Sequence, residues 1–245
     1  MAVSHSVRLE SPVDSRAEAV EQELEAFTYI VSHDLVASFR HVAQFSQMLM
    51  GDLGDSLTGR QKAHADAIIA ATGKCQVMME ELLVFSRLQQ KALTPVRQDA
   101  TLLMRQTMLQ LGVAGSAQIE ISLEPLGEVY ADASLLVLAF QHLLGNAIKF
   151  HRPDARPKVA IAPAHDDRVW RMRLADNGLG LEPPQRERAF RMFQRMHGQD
   201  AFPGIGSGLA ICRRVARRHG GEVTFLDCDE GACVELALPR APTLQ

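Results

Sequence analysis

From Ala17 to about Leu53 apolar side chains return at three- and four-residue steps or their sums. Leu24, Val31, Leu35, Val42, Phe45 and Leu49 form one line, and Thr28 and Ser38 fill its gaps. That spacing predicts a long helix whose seam packs against partner helices. The stretch 54-GDSLTG-59 fits a helix-to-helix turn. A second long helix is predicted from about Arg60 to Gln90, with Ile68, Cys75, Met79, Leu82 and Ser86 at seam spacing. Two such helices make an antiparallel hairpin. Its apolar faces are too wide for one hairpin to bury, so pairing with a second copy into a four-helix bundle is expected.

After 94-TPVRQD-99 the period changes. A helix from about Ala100 to Leu111 gives way to short alternating segments at 117–124, 127–131, 158–163, 168–175, 221–227 and 232–238. In 168-RVWRMRLA-175, Trp170, Met172 and Leu174 alternate with Arg171 and Arg173. One face is apolar and the other charged, as in a sheet covered by helices on one side. Helices at about 132–150 and 207–219 supply the cover. The predicted fold class is therefore α plus α/β, a long helical hairpin forming a dimeric four-helix bundle and then a two-layer α/β sandwich. The expected division is a lead-in at 1–16, the hairpin at 17–92, the sandwich at 93–240 and a tail at 241–245.

Composition narrows the function. The 245 residues have room for one large domain or two modest ones, and the net charge of −3 argues against a nucleic-acid partner. Cys75, Cys212, Cys228 and Cys233 form no CxxC pair and read as unpaired cytosolic thiols, although Cys228 and Cys233 flank a turn. The apolar run 133-ASLLVLAF-140 is too short for a membrane span, and the N-terminus has no apolar stretch of a signal peptide. A cytoplasmic chain without direct membrane insertion is expected.

Three segments of the second half gain meaning together. In 141-QHLLGNAIKFH-151, Asn146 and Lys149 share a helix face, where an amide oxygen and an ammonium can meet a hard cation and a phosphate. Alone, a polar stripe on a surface helix explains them better. In 176-DNGLGL-181, Gly178 and Gly180 let the backbone approach a flat ligand, and the Asp176 carboxylate can accept from an exocyclic amine. A plain strand-ending turn explains that segment equally well. In 204-GIGSGLAICRRVARRHGGEV-223, Gly204, Gly206 and Gly208 lead into an amphipathic helix whose free N–H groups suit an anion. At the other end of the chain, His33 stands opposite the midpoint of Val31 and Leu35 on the helical wheel. It belongs on the wet face, with Asp34 beside it.

These pieces resemble the boxes of two-component sensor histidine kinases, in family order over roughly residues 17–240. Asn146-Ala147-Ile148-Lys149 is similar to the N box, Asp176-Asn177-Gly178-Leu179-Gly180 to the G1 box, and Gly204-Ile205-Gly206-Ser207-Gly208-Leu209 to the G2 box. The segment 189-AFRMFQRMHG-198 resembles the F box, and Ser32-His33-Asp34-Leu35 the H box. FTYIVSHDL and MFQRMHG are closest in phrasing to kinases of bacterial phytochromes.

The resemblance implies an ATP-dependent protein-histidine autokinase with ATP and Mg²⁺ as cofactors. It makes His33 the phosphoacceptor and Asp34 its general base or orienter. Asn146 would hold Mg²⁺, Lys149 would meet phosphate oxygens, and Asp176 would read adenine beside Gly178 and Gly180. A lid over about 181–205, with Arg195, would close on the triphosphate above Gly204, Gly206, Gly208 and Leu209. Implied partners are a second copy through residues 17–92 and the receiver domain of a response regulator. The sensor would be a separate protein or a missing N-terminal domain.

The sequence departs from the family at three positions. Ser38 stands where proline is usual, five residues after His33, so the helix should be straighter there. Val36 replaces a basic residue, and His142 replaces a second asparagine one turn before Asn146. His142 either touches metal or phosphate or packs in the helix. A rival reading is a degenerate nucleotide-binding dimeric scaffold that docks regulators with weak kinase activity. An ATPase of the wider gyrase and Hsp90 kind fits less well, because it leaves the histidine hairpin without a role.

Overall fold

The computed structural model describes residues 35–90, 92–164, 166, 168–196, 202 and 204–240. The chain divides into two units, Met1–Arg87 and Leu88–Gln245.

In the first unit the described residues 35–53 are helical (α1) and lead into a 3₁₀ turn at Gly54–Ser56. The next helix, α2, spans Gly59–Gln90. Its start is fixed by Thr58 and Gln61. The Thr58 N–H and hydroxyl donate to Gln61 Oε1 at 2.8 and 2.9 Å, and the Gln61 N–H returns to Thr58 Oγ1 at 3.4 Å. This reciprocal cap satisfies donors that a helix start leaves open. The predicted seam faces outward in the single chain. Phe45 is 67 % exposed, Leu49 59 % and Ile68 48 %.

The second unit contains β1 (Val96–Asp99), α3 (Ala100–Gln110), β2 (Glu120–Leu123), β3 (Glu128–Ala131), α4 (Ala133–Lys149), β4 (Lys158–Ala164) and β5 (Val169–Asp176). It continues with α5 (Pro183–Ala189), α6 (Gly208–Arg218), β6 (Glu222–Leu226) and β7 (Cys233–Pro239). Five strands form one sheet in the order β2-β4-β5-β7-β6, in which only the β2–β4 pair is parallel. Strands β1 and β3 make a separate antiparallel pair, with Val96 opposite Ala131.

The alternation in β5 does what its pattern predicts. Trp170, Met172 and Leu174 are buried with Leu136, Phe140 and Leu144 of α4 and Ile211 and Val215 of α6. The indole N–H of Trp170 is satisfied by the Leu126 carbonyl at 2.9 Å, so a large apolar ring is buried without orphaning its donor. On the other face Arg171 and Arg173 donate to the two oxygens of Glu235 at 2.6 and 2.8 Å. Burial pushes the Glu235 carboxyl upward, but the two guanidinium hydrogen bonds outweigh it and hold the group ionised.

Two elements differ from the sequence expectation. β1 lies where only a transition was expected, and α5 forms inside the segment assigned to the lid. The four cysteines are free thiols.

Candidate nucleotide site

Helix α4 is the spine of the site. Its N-cap Asp132 accepts from the Ser134 and Leu135 N–H groups at 3.0 and 3.2 Å, which anchors the first turn. Its last turn presents Asn146 and Lys149, and Phe150 closes it. The half-exposed Asn146 carboxamide has no hydrogen-bond partner among the described residues, which leaves its oxygen available to a ligand.

The segment 176–180 docks on this end of α4. The Leu179 N–H donates to the Phe150 carbonyl at 3.0 Å. A Cβ at position 178 would stand 2.5 Å from that same oxygen, so only glycine lets the two segments meet. Asp176 Oδ1 accepts from the Gly178 and Ala232 N–H groups at 2.8 and 3.1 Å. Oδ2 accepts from no described residue. Burial raises the Asp176 pKa, opposed by those two backbone bonds. A carboxylate oriented through one oxygen and open at the other is suited to accept from an amine.

The glycine-rich segment docks on the same helix. Lys149 Nζ lies 3.1 Å from where a Cβ of Gly204 would be, and His142 Nδ1 3.0 Å from that of Gly208. Gly206 adopts φ +81° beneath the Gln194 carbonyl, which a side chain would strike. Helix α6 then begins without a side-chain cap, and its first intrahelical bond runs from Ile211 N–H to Ser207 O. The N–H groups of Gly208, Leu209 and Ala210 therefore lie free at a partially positive helix end. Burial pushes the Lys149 ammonium below its usual range, and the nearby Arg195 charge adds to this. Among the described residues Lys149 has no carboxylate partner, although its ammonium lies 4.2 Å from the Phe150 ring. An anion brought here would relieve that strain.

Of the lid, residues 181–196, 202, 204 and 205 are described. The Arg195 guanidinium donates to the Phe202 carbonyl at 2.6 Å, and the Phe202 ring packs on Phe150 at 5.2 Å. Phe193, before it, holds φ 60°, a backbone region that non-glycine residues seldom occupy.

The structure thus brings together Asn146, Lys149, Asp176, Gly178, Gly180, Arg195, Gly204, Gly206, Gly208 and Leu209 around the C-terminal half of α4. His33 and Asp34 lie outside the described residues. The sequence reading missed Gly231 and Ala232. Gly231 sits where a Cβ would be 1.8 Å from the Asp176 carbonyl, and its own carbonyl would lie 2.4 Å from a Cβ on Gly180. A glycine just before a strand was the available signal. His142 is packed against Gly208, next to the free end of α6.

The residues present fit a nucleotide and its metal. The described residues hold no group of three His, Cys, Asp or Glu able to bind a metal ion. Among the described residues no helix is long and apolar enough to cross a membrane.

Comparison with known proteins agrees with this geometry. Residues 131–242 match the family "histidine kinase-, DNA gyrase B-, and HSP90-like ATPase". The phytochrome-like protein Cph1 of Synechocystis is 30 % identical over 213 residues, 85 % of this chain and 28 % of that protein. The methanogenesis regulatory histidine kinase FilI of Methanothrix harundinacea is 31 % identical over 228 residues, 91 % of this chain and 25 % of that protein. The chain therefore spans about a quarter of the length of these relatives. The solved mycobacterial sensor histidine kinase MprB superposes with a TM-score of 0.51 at 27 % identity, over 61 % of this chain and all of that one. Residues 131–242 are thus similar to the histidine kinase-, DNA gyrase B- and HSP90-like ATPase family, and the chain's relatives include proteins named as histidine kinases.

Proposed function

We propose that the chain is an ATP-dependent protein-histidine autokinase that phosphorylates His33 and passes the phosphoryl group to an aspartate of a response regulator. One observation carries the nucleotide reading. Lys149, with no carboxylate partner among the described residues, and the free end of α6 meet α4, whose C-terminal end also receives the segment that carries the open oxygen of Asp176. The first suits a polyphosphate and the second an adenine amine.

In this reading Asp176 Oδ2 accepts from the adenine amino group, with Gly178 and Gly180 leaving room for the ring. The N–H groups of Gly208 and Leu209, with Lys149 and Arg195, meet phosphate oxygens. Asn146 is the protein ligand of Mg²⁺, whose charge neutralises the phosphates when bound. An imidazole nitrogen of His33 attacks the γ-phosphorus in line, the bond to the β,γ-bridging oxygen breaks, and ADP leaves. Asp34 orients the imidazole and takes its proton. Such catalysis rests on positioning and charge neutralisation.

The hairpin, residues 17–92, is the dimerisation and phosphoacceptor domain, and 93–240 the ATP-binding domain. The outward seam of Phe45, Leu49 and Ile68 supports pairing with a second copy into a four-helix bundle. A cytoplasmic location fits a regulator as partner. The deciding experiment is incubation with Mg²⁺ and ATP labelled at the γ-phosphate. Acid-labile, base-stable label on His33 is expected. ADP binding without label would leave the dimeric scaffold as the function.

A further inference from the structure

Asp132 does more than cap α4. Its Oδ2 accepts from the hydroxyl and N–H of Thr94 at 2.9 and 3.3 Å, while Oδ1 takes the Ser134 and Leu135 N–H groups and the Ser134 hydroxyl at 2.6 Å. Burial pushes the carboxyl upward, but the hydrogen bonds from Ser134 and Thr94 outweigh it and hold it far below the usual carboxylate range. One buried, ionised carboxylate thus joins two segments that are 38 residues apart. Thr94 lies four residues after the end of α2, on the segment that leaves the hairpin. The β1–β3 pair continues the same seam, with Val96 opposite Ala131.

The other end of α4 is the nucleotide site. Fourteen residues separate Asp132 from Asn146, a rise of roughly 21 Å along a stiff helix. Whatever holds Thr94 on Asp132 therefore fixes the segment that follows α2 to the same helix that presents Asn146 and Lys149.

We propose that Asp132 is a positioning residue, a latch whose bond to Thr94 holds the segment that follows α2 on the start of α4. This rests on the kinase reading, because the latch matters when the nucleotide must be presented to His33. Thr94→Val removes the hydroxyl and keeps the backbone bond, the α4 cap and every nucleotide-contacting residue. Losing one hydrogen bond to a charged group should release the segment on the order of tenfold more often. Displacements of an ångström in phosphoryl positioning cost rate rather than ligand affinity.

The test uses the full chain in three forms, wild type, Thr94→Val and Thr94→Ser. At saturating Mg-ATP the valine variant is expected to incorporate phosphate about tenfold more slowly, with ADP affinity within about twofold of wild type. Serine should restore the rate. In parallel, hydrogen exchange of the 94–99 amides should quicken in the valine variant and not in the serine variant. An unchanged exchange pattern, a rate loss matched by an equal loss of ADP affinity, or failure of serine to rescue would each overturn the latch. If wild type takes up no phosphate while the exchange difference appears, the kinase reading fails and the latch stands.

Discussion

The two units put their apolar residues in opposite places. In the second, Met172, Phe140 and Leu236 are fully buried and the sheet has its own helical cover. In the first, Phe45, Leu49 and Ile68 are exposed on its helices. Both follow from the same hydrophobic effect acting on different shapes. A sheet with helices on one face can bury its apolar side within one chain. A hairpin offers only one shared surface and leaves the rest of each seam for a partner. On this comparison the second unit closes its own core, and the exposed seam of the first is what the proposed second copy would cover.

The sharpest way to break the comparison is to remove the nucleophile alone. His33→Gln should abolish phosphate incorporation completely while ADP affinity, measured by calorimetry, stays unchanged. Labelling that survives would place the acceptor elsewhere. Next in size is a contrast of core and seam. Trp170→Ala empties a buried site and orphans the Leu126 carbonyl, so the second unit should lose roughly 3–5 kcal/mol in urea unfolding. The change should not depend on protein concentration. Leu49→Glu instead should leave ADP affinity intact and convert the dimer to monomer in light scattering, because the dimer would bury an unpaired charge. A Leu49→Glu dimer of wild-type stability would remove the bundle.

Much of this division was legible in the sequence, because it rests on local periodicity. The seam of α2 and the alternation of Trp170, Met172 and Leu174 need no knowledge of distant residues, and six of the seven strands fall where short alternating runs lie. β1 escaped because 96-VRQD-99 has no alternation and its Val96 is exposed. Its pairing with β3 is the whole reason it is extended. α5 escaped because Pro183 and Pro184 read as a breaker, although proline suits the first turn, where Glu182 and Gln185 also cap it. In the site, the glycines and Asn146 announce themselves by spacing. Gly231, the Ala232 N–H and the Thr94–Asp132 bond do not, since each exists only through contacts 38 or more residues apart.

A smaller effect probes the nucleotide side of the comparison. Asp176→Asn keeps the shape and exchanges an acceptor for an amide that competes poorly for the adenine amine. A drop in ADP affinity of about 10- to 100-fold is expected, as for loss of a hydrogen bond to a charged group. Because burial raises the Asp176 pKa, wild-type ADP binding should also fade on acidification before an ordinary carboxylate would titrate. GDP affinity should change little in Asp176→Asn. An equal loss for both nucleotides would mean that Asp176 supports the fold and does not read the base.

The least effect belongs to His219, at the far end of α6. Its Nδ1 lies 2.8 Å from the Val215 carbonyl, and its Nε2 accepts the Asp132 N–H at 3.0 Å. Nδ1 must carry the proton for both bonds to exist, so the folded unit holds the ring neutral. Burial lowers the His219 pKa below its ordinary value. The Val215 carbonyl and the Asp132 charge oppose this, and Arg218 reinforces it. The sign follows from proton counting. The unfolded chain binds the proton more readily, so the contribution of neutral His219 is complete above about pH 6.5, the unfolded value, and is lost as pH falls towards the folded one. The loss should be confined to the second unit. Urea unfolding of wild type and His219→Gln at pH 7.5 and 5.5 isolates it, since carboxylates elsewhere titrate alike in both proteins. The gap between the two should narrow at the lower pH. A gap that stays constant would mean that the ring remains neutral throughout, and one that widens on acidification would mean that His219 is held in the folded unit as a cation.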